Sequence, residues 1–166
     1  ISPFLMEFMR NKEFFNLINE YKFSTNYKKE WESSPYPPTF VTVDNVVYQS
    51  GHILLIERGD YPQKGMFALA GGFINQKENL IESAIRALRE ETKIKVPEKL
   101  LFGSIKDSKT YDGPNRSSRG RTITHAFLFV LDSHNKLPRV KGSSDAKKAF
   151  WYPVEKVKRS IMFEDH

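Results

Sequence analysis

Glu90 and Glu91 set two carboxylates side by side, and Arg86 stands one helical turn before them. Adjacent acidic oxygens repel one another unless a cation lies between them. A hard divalent cation such as Mg²⁺ meets that need, and a peptide carbonyl from a glycine-rich turn can add a ligand. Such a turn is at hand: Phe67-Ala68-Leu69 runs toward Gly71-Gly72, and Glu78 follows shortly after. Residues Glu78 to about Lys93 carry the pattern of a helix, in which Arg86 can brace Glu90 through a charge-assisted hydrogen bond. At about 100° per residue, Ile81, Ala84, Ile85 and Leu88 share one side and face a core, while positions 87, 90 and 91 form a neighbouring face. Taken alone, an Arg-Glu-Glu cluster is an ordinary solvated helix surface. The glycine pair, with its spacing to Glu78 and Arg86, turns the choice toward a metal-dependent site.

Gly72-Phe73-Ile74-Asn75-Gln76-Lys77-Glu78, followed by Arg86-Ala87-Leu88-Arg89-Glu90-Glu91-Thr92-Lys93-Ile94, resembles the Nudix box. Gly72, Glu78, Arg86, Leu88, Glu90, Glu91 and Ile94 match it in register. The resemblance implies an α/β protein with the Nudix fold, a mixed β-sheet sandwiched between helices, here with an extra N-terminal helix. It implies a Mg²⁺ (or Mn²⁺) cofactor held by Gly72, Glu78, Glu90 and Glu91, with Glu90, Glu91 and Arg86 in catalytic roles. Asp145, shortly before Trp151, sits where many Nudix enzymes carry an extra carboxylate, and joins the catalytic set. Three positions depart from the pattern. Ala70 replaces a common proline, Lys93 a usual glycine, and Ala87 a glutamate that serves the family as metal ligand or general base. Lys93 falls in the last helical turn, where a cation suits the dipole. Ala87 weighs most, because losing a carboxylate weakens metal binding and removes an acceptor for the attacking water. The family likeness thus leaves two outcomes open: an active hydrolase, or an attenuated domain that binds its nucleotide as a sensor.

A second likeness covers almost the whole chain. Glu20-Tyr21-Lys22-Phe23, Tyr27-Lys28-Lys29-Glu30-Trp31 and Pro35 to Asp44 are similar to the junction in bifunctional NMN adenylyltransferase/Nudix hydrolases. The stretch Asp112 to His125, Val140-Lys141-Gly142 with Asp145 to Ala149, and Glu164-Asp165-His166 look like the same family. This implies hydrolysis of ADP-ribose to AMP and ribose 5-phosphate, in NAD metabolism, by a protein that pairs as a homodimer. Residues 1–34 are then the tail of a missing adenylyltransferase domain and 35–166 the Nudix domain; the start at Ile1 fits that division.

A pyrophosphate is doubly anionic, and its cleavage needs charge neutralisation and a positioned water. Arg58, Arg116, Arg119 and Arg121 are the expected substrate-binding residues, since planar guanidinium groups suit bidentate contact with phosphate. Phe40 is the candidate aromatic face for adenine, with Tyr48 and Tyr111 behind it. His125, on a strand, reads as a packed or hydrogen-bonded histidine, and Glu82 as a solvated helix residue.

The elements that must position these groups follow from pattern. Residues 4 to about 20 read as a helix with Phe4, Leu5, Phe8, Phe14, Phe15 and Leu17 on its apolar face, and the prolines at 35, 37 and 38 mark a linker. Phe40–Val43 with Val46–Tyr48, His52–Glu57, Leu100–Ile105, Thr122–Leu131 and Ala149–Tyr152 read as strands, and Pro153 as the start of a final helix. The 166 residues suffice for one domain with a core. The absence of cysteine excludes a disulfide framework, a zinc-thiolate site and a cysteine nucleophile, and is compatible with the expected cytoplasmic setting. No apolar run approaches a bilayer span, so no membrane partner is expected. The net charge of +6 raises nucleic acid as a ligand, but the basic residues are scattered and no recognised module is present, so none is expected.

Overall fold

The structure, a computed structural model, describes Glu7 and residues 11–166; the expected helix positions Phe4, Leu5 and Phe8 lie outside the described residues. Helix α1 spans Lys12–Glu30. Asn11 caps it, its side-chain oxygen accepting from the Glu13 N–H at 2.9 Å, and Lys28 and Lys29 sit in the last turn, where cations suit the dipole. The helix runs some ten residues past its expected end and buries none of its own residues. It attaches through its C-terminal aromatics, with the rings of Tyr27 and Trp31 edge-on to Phe40 at 5.7 and 5.2 Å.

Seven strands follow: β1 (Phe40–Gln49), β2 (His52–Arg58), β3 (Phe67–Ala68), β4 (Ala70–Phe73), β5 (Ile105–Tyr111), β6 (Thr122–Val130) and β7 (Ala146–Pro153). The mixed sheet runs β3-β2-β1-β6-β5, with β4 also pairing β1 and β7 also pairing β2. β1 lies parallel to β6 along its length. On its other edge it pairs antiparallel with β4 at Thr42–Asn45 and with β2 only at Tyr48 and Gln49. Helices α2 (Leu80–Thr92) and α3 (Glu98–Gly103) complete the α/β architecture expected from the sequence.

The core forms where α2 meets the sheet. Val43 and Val47 of β1, Leu54 of β2, Phe129 of β6 and Ala84 and Leu88 of α2 are fully buried, and each large side chain contributes roughly 1.5–3 kcal/mol. Buried Asn45 joins the layers: its Nδ2 donates to the carbonyls of Ala70 on β4 and Ala84 on α2 at 2.9 and 3.0 Å. This is why β1 continues through Asp44-Asn45, where the sequence pattern breaks. A reciprocal capping box between Asn79 and Glu82 starts α2, so Glu82, exposed as expected, also caps the helix.

Several local expectations give way. Leu100 belongs to helix α3, not to a strand: the Pro97 carbonyl accepts from the Leu100 and Leu101 N–H groups, and only Leu101 turns inward. The strand begins after it, at Ile105. Pro153 ends β7, and two single 3-10 turns, Val154–Lys156 and Arg159–Ile161, replace the expected final helix. On α2, Ile81 is 36% exposed, while Ser83, Ala87 and Thr92 join the buried side.

Candidate active site

A cleft of about 350 Å³ opens between α2, β4 and β1, closed on its far side by the end of β2 at Arg58, by the loop carrying Arg116 and by residues 163–166. Helix α2 turns Arg86, Ala87, Glu90 and Glu91 toward it. The glycine pair divides its work. Gly71 lies opposite Asp44 in the β1–β4 ladder, and a Cβ there would run into the Val43 carbonyl oxygen and Oδ1 of Asp44. Only glycine lets the strands approach this closely, which brings the Gly71 N–H to Oε2 of Glu91 at 2.9 Å. A Cβ at Gly72 would meet open space; this residue lines the cleft.

Arg86 organises the helix face. Its Nε donates to both oxygens of Glu78, at 3.0 and 2.8 Å, its Nη1 to Oε2 of Glu90 at 3.0 Å, and its Nη2 to the Phe73 carbonyl at 3.2 Å. Ser83 also donates to Glu78, at 2.8 Å. The Arg86 guanidinium holds the Glu78 carboxyl below its usual range. Both Glu78 oxygens thus accept from Arg86, and Oε2 accepts from Ser83 as well. Glu90 is half-exposed, with one oxygen on Arg86.

Glu91 is the electrostatic centre. Burial pushes its carboxyl up to about 8, against the Gly71 hydrogen bond, and nearby Asp145 and Asp44 add to the rise. Asp145 stands exposed on the cleft rim, its backbone carbonyl accepting from the Gly59 N–H at 2.8 Å. Asp44 is buried, and burial raises its pKa against the opposing pull of His166 and Arg116. The Leu69 N–H donates to Nδ1 of His166 at 3.1 Å. That leaves the imidazole proton on Nε2, which faces Oδ2 of Asp44 at 3.5 Å.

Three of the four expected arginines meet in the cleft. Arg58 lies over the Phe163 ring at 4.0 Å and donates through Nε to the Pro62 carbonyl at 2.9 Å; burial lowers its pKa, with Arg119 adding to the effect. Arg116 forms a bidentate pair with Asp165 at 2.9 and 2.8 Å and donates to Thr124 Oγ1. Arg119 lies over Phe73 at 5.2 Å. Arg121 does not reach the cleft; it donates to the Asp112 carbonyl. Phe40 does not reach it either, being buried beneath Tyr27, Trp31 and Phe73 and facing a separate groove. His125 hydrogen-bonds Thr110 at 2.8 Å, as expected of a packed strand histidine.

Sequence reasoning gave no role to Asp44, His166 and Asp165, nor to Phe23 and Tyr27 of α1, which also line the cleft. One signal was available: an Asp-Asn pair inside an otherwise apolar strand. For Asp165 and His166, the partners lie 49 and more residues away, beyond any local pattern.

Among the described residues, no three Asp, Glu or His side chains converge on a point where they could hold an ion alone. Even so, the donor set fits a Mg²⁺ or Mn²⁺ ion in part. Glu90 and Glu91 offer hard oxygens at the cleft wall, and burial disfavours the charged form of Glu91, a cost that a bound cation would offset. Mg²⁺ is usually bound through one or two carboxylates, with water and substrate phosphate completing its shell. This chain matches that partial arrangement and not an all-protein cage.

This fold and helix-borne carboxylate cluster define the NUDIX domain, whose family model matches residues 38–166. The chain belongs to the Nudix family. It is 35% identical over 114 residues to an ADP-ribose pyrophosphatase of Methanocaldococcus jannaschii, covering 69% of this chain and 62% of that protein. It is 30% identical over 158 residues to the ADPR responsive transcriptional repressor NtrR of Acinetobacter baylyi, covering 91% of this chain and 58% of the repressor. A bifunctional NMN adenylyltransferase/ADP ribose pyrophosphatase from Francisella tularensis, crystallised with AMP and a Mn ion, superposes with a TM-score of 0.91 at 38% identity over 98% of this chain and 49% of that one. The chain thus spans about half to three-fifths of the length of these relatives. Among the described residues, no helix is long and apolar enough to cross a membrane.

Proposed function

We propose that this domain hydrolyses the pyrophosphate of ADP-ribose, giving AMP and ribose 5-phosphate, with Mg²⁺ or Mn²⁺ as cofactor and a place in cytoplasmic NAD metabolism. The observation that carries it is the meeting, in one cleft, of Glu90 and Glu91 on one wall and Arg58, Arg116 and Arg119 on the other. The named activities of the Methanocaldococcus and Francisella relatives support it. The arginines bind and orient the two phosphates and stabilise charge that builds during cleavage. Arg86 holds Glu90 in place, and the Gly71 N–H holds Glu91. Asp145, on the rim, accepts a proton from water entering the cleft. A divalent ion bound at Glu90 and Glu91 would neutralise phosphate charge and increase the acidity of water. Residues 1–34 are, on this view, a segment preceding the catalytic domain of 35–166, although Phe23 and Tyr27 cross that boundary to line the cleft. A homodimer belongs to the same proposal.

Ala87 favours a second function, binding of ADP-ribose without turnover. It is 3% exposed on the α2 face beside Glu90 and Glu91, where a methyl group offers no ligand and no base. The repressor relative, named for its response to ADPR, supports this alternative. Incubation with ADP-ribose and Mg²⁺ or Mn²⁺ separates the two: AMP release supports the hydrolase, and measurable binding without AMP supports the sensor.

A further inference from the structure

Residues 163–166 cross the far wall of the cleft, and three of them in succession meet the segments that carry its arginines. Phe163 is buried, its N–H donates to the Phe67 carbonyl at 2.7 Å, and its ring lies beneath the Arg58 guanidinium. Glu164 accepts from the Ser118 N–H at 3.0 Å, one residue before Arg119, while its own N–H donates to the Gln63 side chain at 3.2 Å. Asp165 takes the Nε and Nη2 edge of Arg116. Nδ1 of His166 then accepts from the Leu69 N–H and ties the segment to the link between β3 and β4. Arg116 shows what these contacts do. Its side chain is 10% exposed, and its Nη1 donates to Thr124 Oγ1, itself hydrogen-bonded to Thr42 at 2.6 Å. Nε, Nη1 and Nη2 thus each donate to the protein, and the N–H groups left over can serve a ligand in the cleft. Asp165 itself does not line the cleft.

We propose that residues 163–165 hold the arginine wall in place for the two phosphates of the substrate, with Asp165 as the positioning residue for Arg116. The inference rests on the proposed ADP-ribose site and names what sets its phosphate contacts. A guanidinium meets phosphate through a planar, bidentate edge, so its orientation decides the contact. Holding a long side chain in its binding rotamer before the ligand arrives removes an ordering cost worth up to about tenfold in affinity. The segment also balances charge. Arg58 feels the like charge of Arg119 and, against it, the carboxylate of Glu164. The opposite role, a carboxylate that competes with phosphate for Arg116, needs Asp165 inside the cleft. It meets the guanidinium from outside instead.

The test is calorimetric binding of ADP-ribose in EDTA to the parent, Asp165→Ala, Arg116→Ala and the double variant. Asp165→Ala should weaken binding about tenfold, and Arg116→Ala at least as much. The double variant should bind no more weakly than Arg116→Ala alone, because Asp165 acts through that side chain. Asp165→Glu, which keeps the carboxylate, should recover most of the affinity. Thermal unfolding in the same buffer checks that each variant folds. Asp165→Asn keeps the shape and one acceptor oxygen, and it repeats the comparison should the alanine variant not fold. A folded Asp165→Ala protein that binds ADP-ribose as tightly as the parent, or more tightly, would overturn the positioning role. So would a double variant whose loss equals the two single losses multiplied together. Both results leave the ADP-ribose proposal standing. Failure of the parent to bind ADP-ribose in EDTA and in Mn²⁺ alike would overturn both.

Discussion

Glu91 makes the metal-free protein sensitive to pH in a direction opposite to that of an ordinary surface carboxylate. Its pKa rises from 4.5 to about 8, chiefly through burial. Below pH 4.5 the group is protonated in both the folded and unfolded chains. As pH climbs from 4.5 toward 8, the unfolded chain ionises first, so the folded state loses stability across this window. A rise of this size is worth on the order of 5 kcal/mol at most. For a domain of this length, that corresponds to roughly a 10 °C fall in Tm. Asp44, also raised by burial, acts in the same sense, whereas Glu57 and Glu78 have lowered pKa values and contribute stability that is lost only below 4.5. The test is thermal unfolding in EDTA from pH 5 to 8, for the parent and for Glu91→Gln. The amide keeps an oxygen for the Gly71 N–H but cannot titrate, so the variant should lose most of the downward slope. Adding Mn²⁺ at pH 8 should stabilise the parent, by about 2.7 kcal/mol at a hundred times Kd, and do little for the variant. A parent whose Tm is flat or rises from pH 5 to 8 in EDTA would refute the placement of Glu91 as a carboxylate whose burial outweighs the pull of Arg58 and the Gly71 N–H.

Lys93 caps α2 in the left-handed conformation, at φ 47°, which explains why glycine is usual there; Lys93→Gly should gain about 1 kcal/mol, read as a Tm increase of about 2–4 °C. Gly71→Ala should disrupt the β1–β4 ladder and unfold or severely destabilise the chain, whereas Gly72→Ala should fold normally, as circular dichroism would show. Ala87→Glu should be less stable in EDTA, because it adds a charge beside Glu90 and Glu91, and should bind Mn²⁺ more tightly in calorimetry. It should also release AMP faster than the parent.

Where a segment's partners are local, the sequence was enough to read it. Helix α2 carries its own cap and apolar stripe, β2 carries the apolar run Ile53–Ile56, and β6 a dense run of β-branched and aromatic residues. The misreadings share a cause. Leu100-Leu101-Phe102 is apolar enough for a strand, yet the carbonyl of Pro97 starts a turn of helix, and Leu100 and Phe102 stay largely exposed. Helix α1 has no buried side to reveal its length, and its C-cap residue Trp31 packs against Phe40. In the cleft, the residues drawn from α2 were legible because one helix spaces them. Asp44, Asp165 and His166 were not, because their roles come from the meeting of β1 and the loop carrying Arg116 with residues 163–166. Arg121 and Phe40 looked equivalent to their neighbours in sequence, and only the path of the loop and of β1 turns them to the second groove.

The most direct test is a turnover measurement on this chain with ADP-ribose and Mg²⁺ or Mn²⁺, following AMP and ribose 5-phosphate by chromatography. Equimolar AMP and ribose 5-phosphate, abolished by EDTA and by Glu91→Gln, is the predicted result. ADP-ribose bound but intact in the parent and in Ala87→Glu would contradict hydrolysis as the function of this cleft.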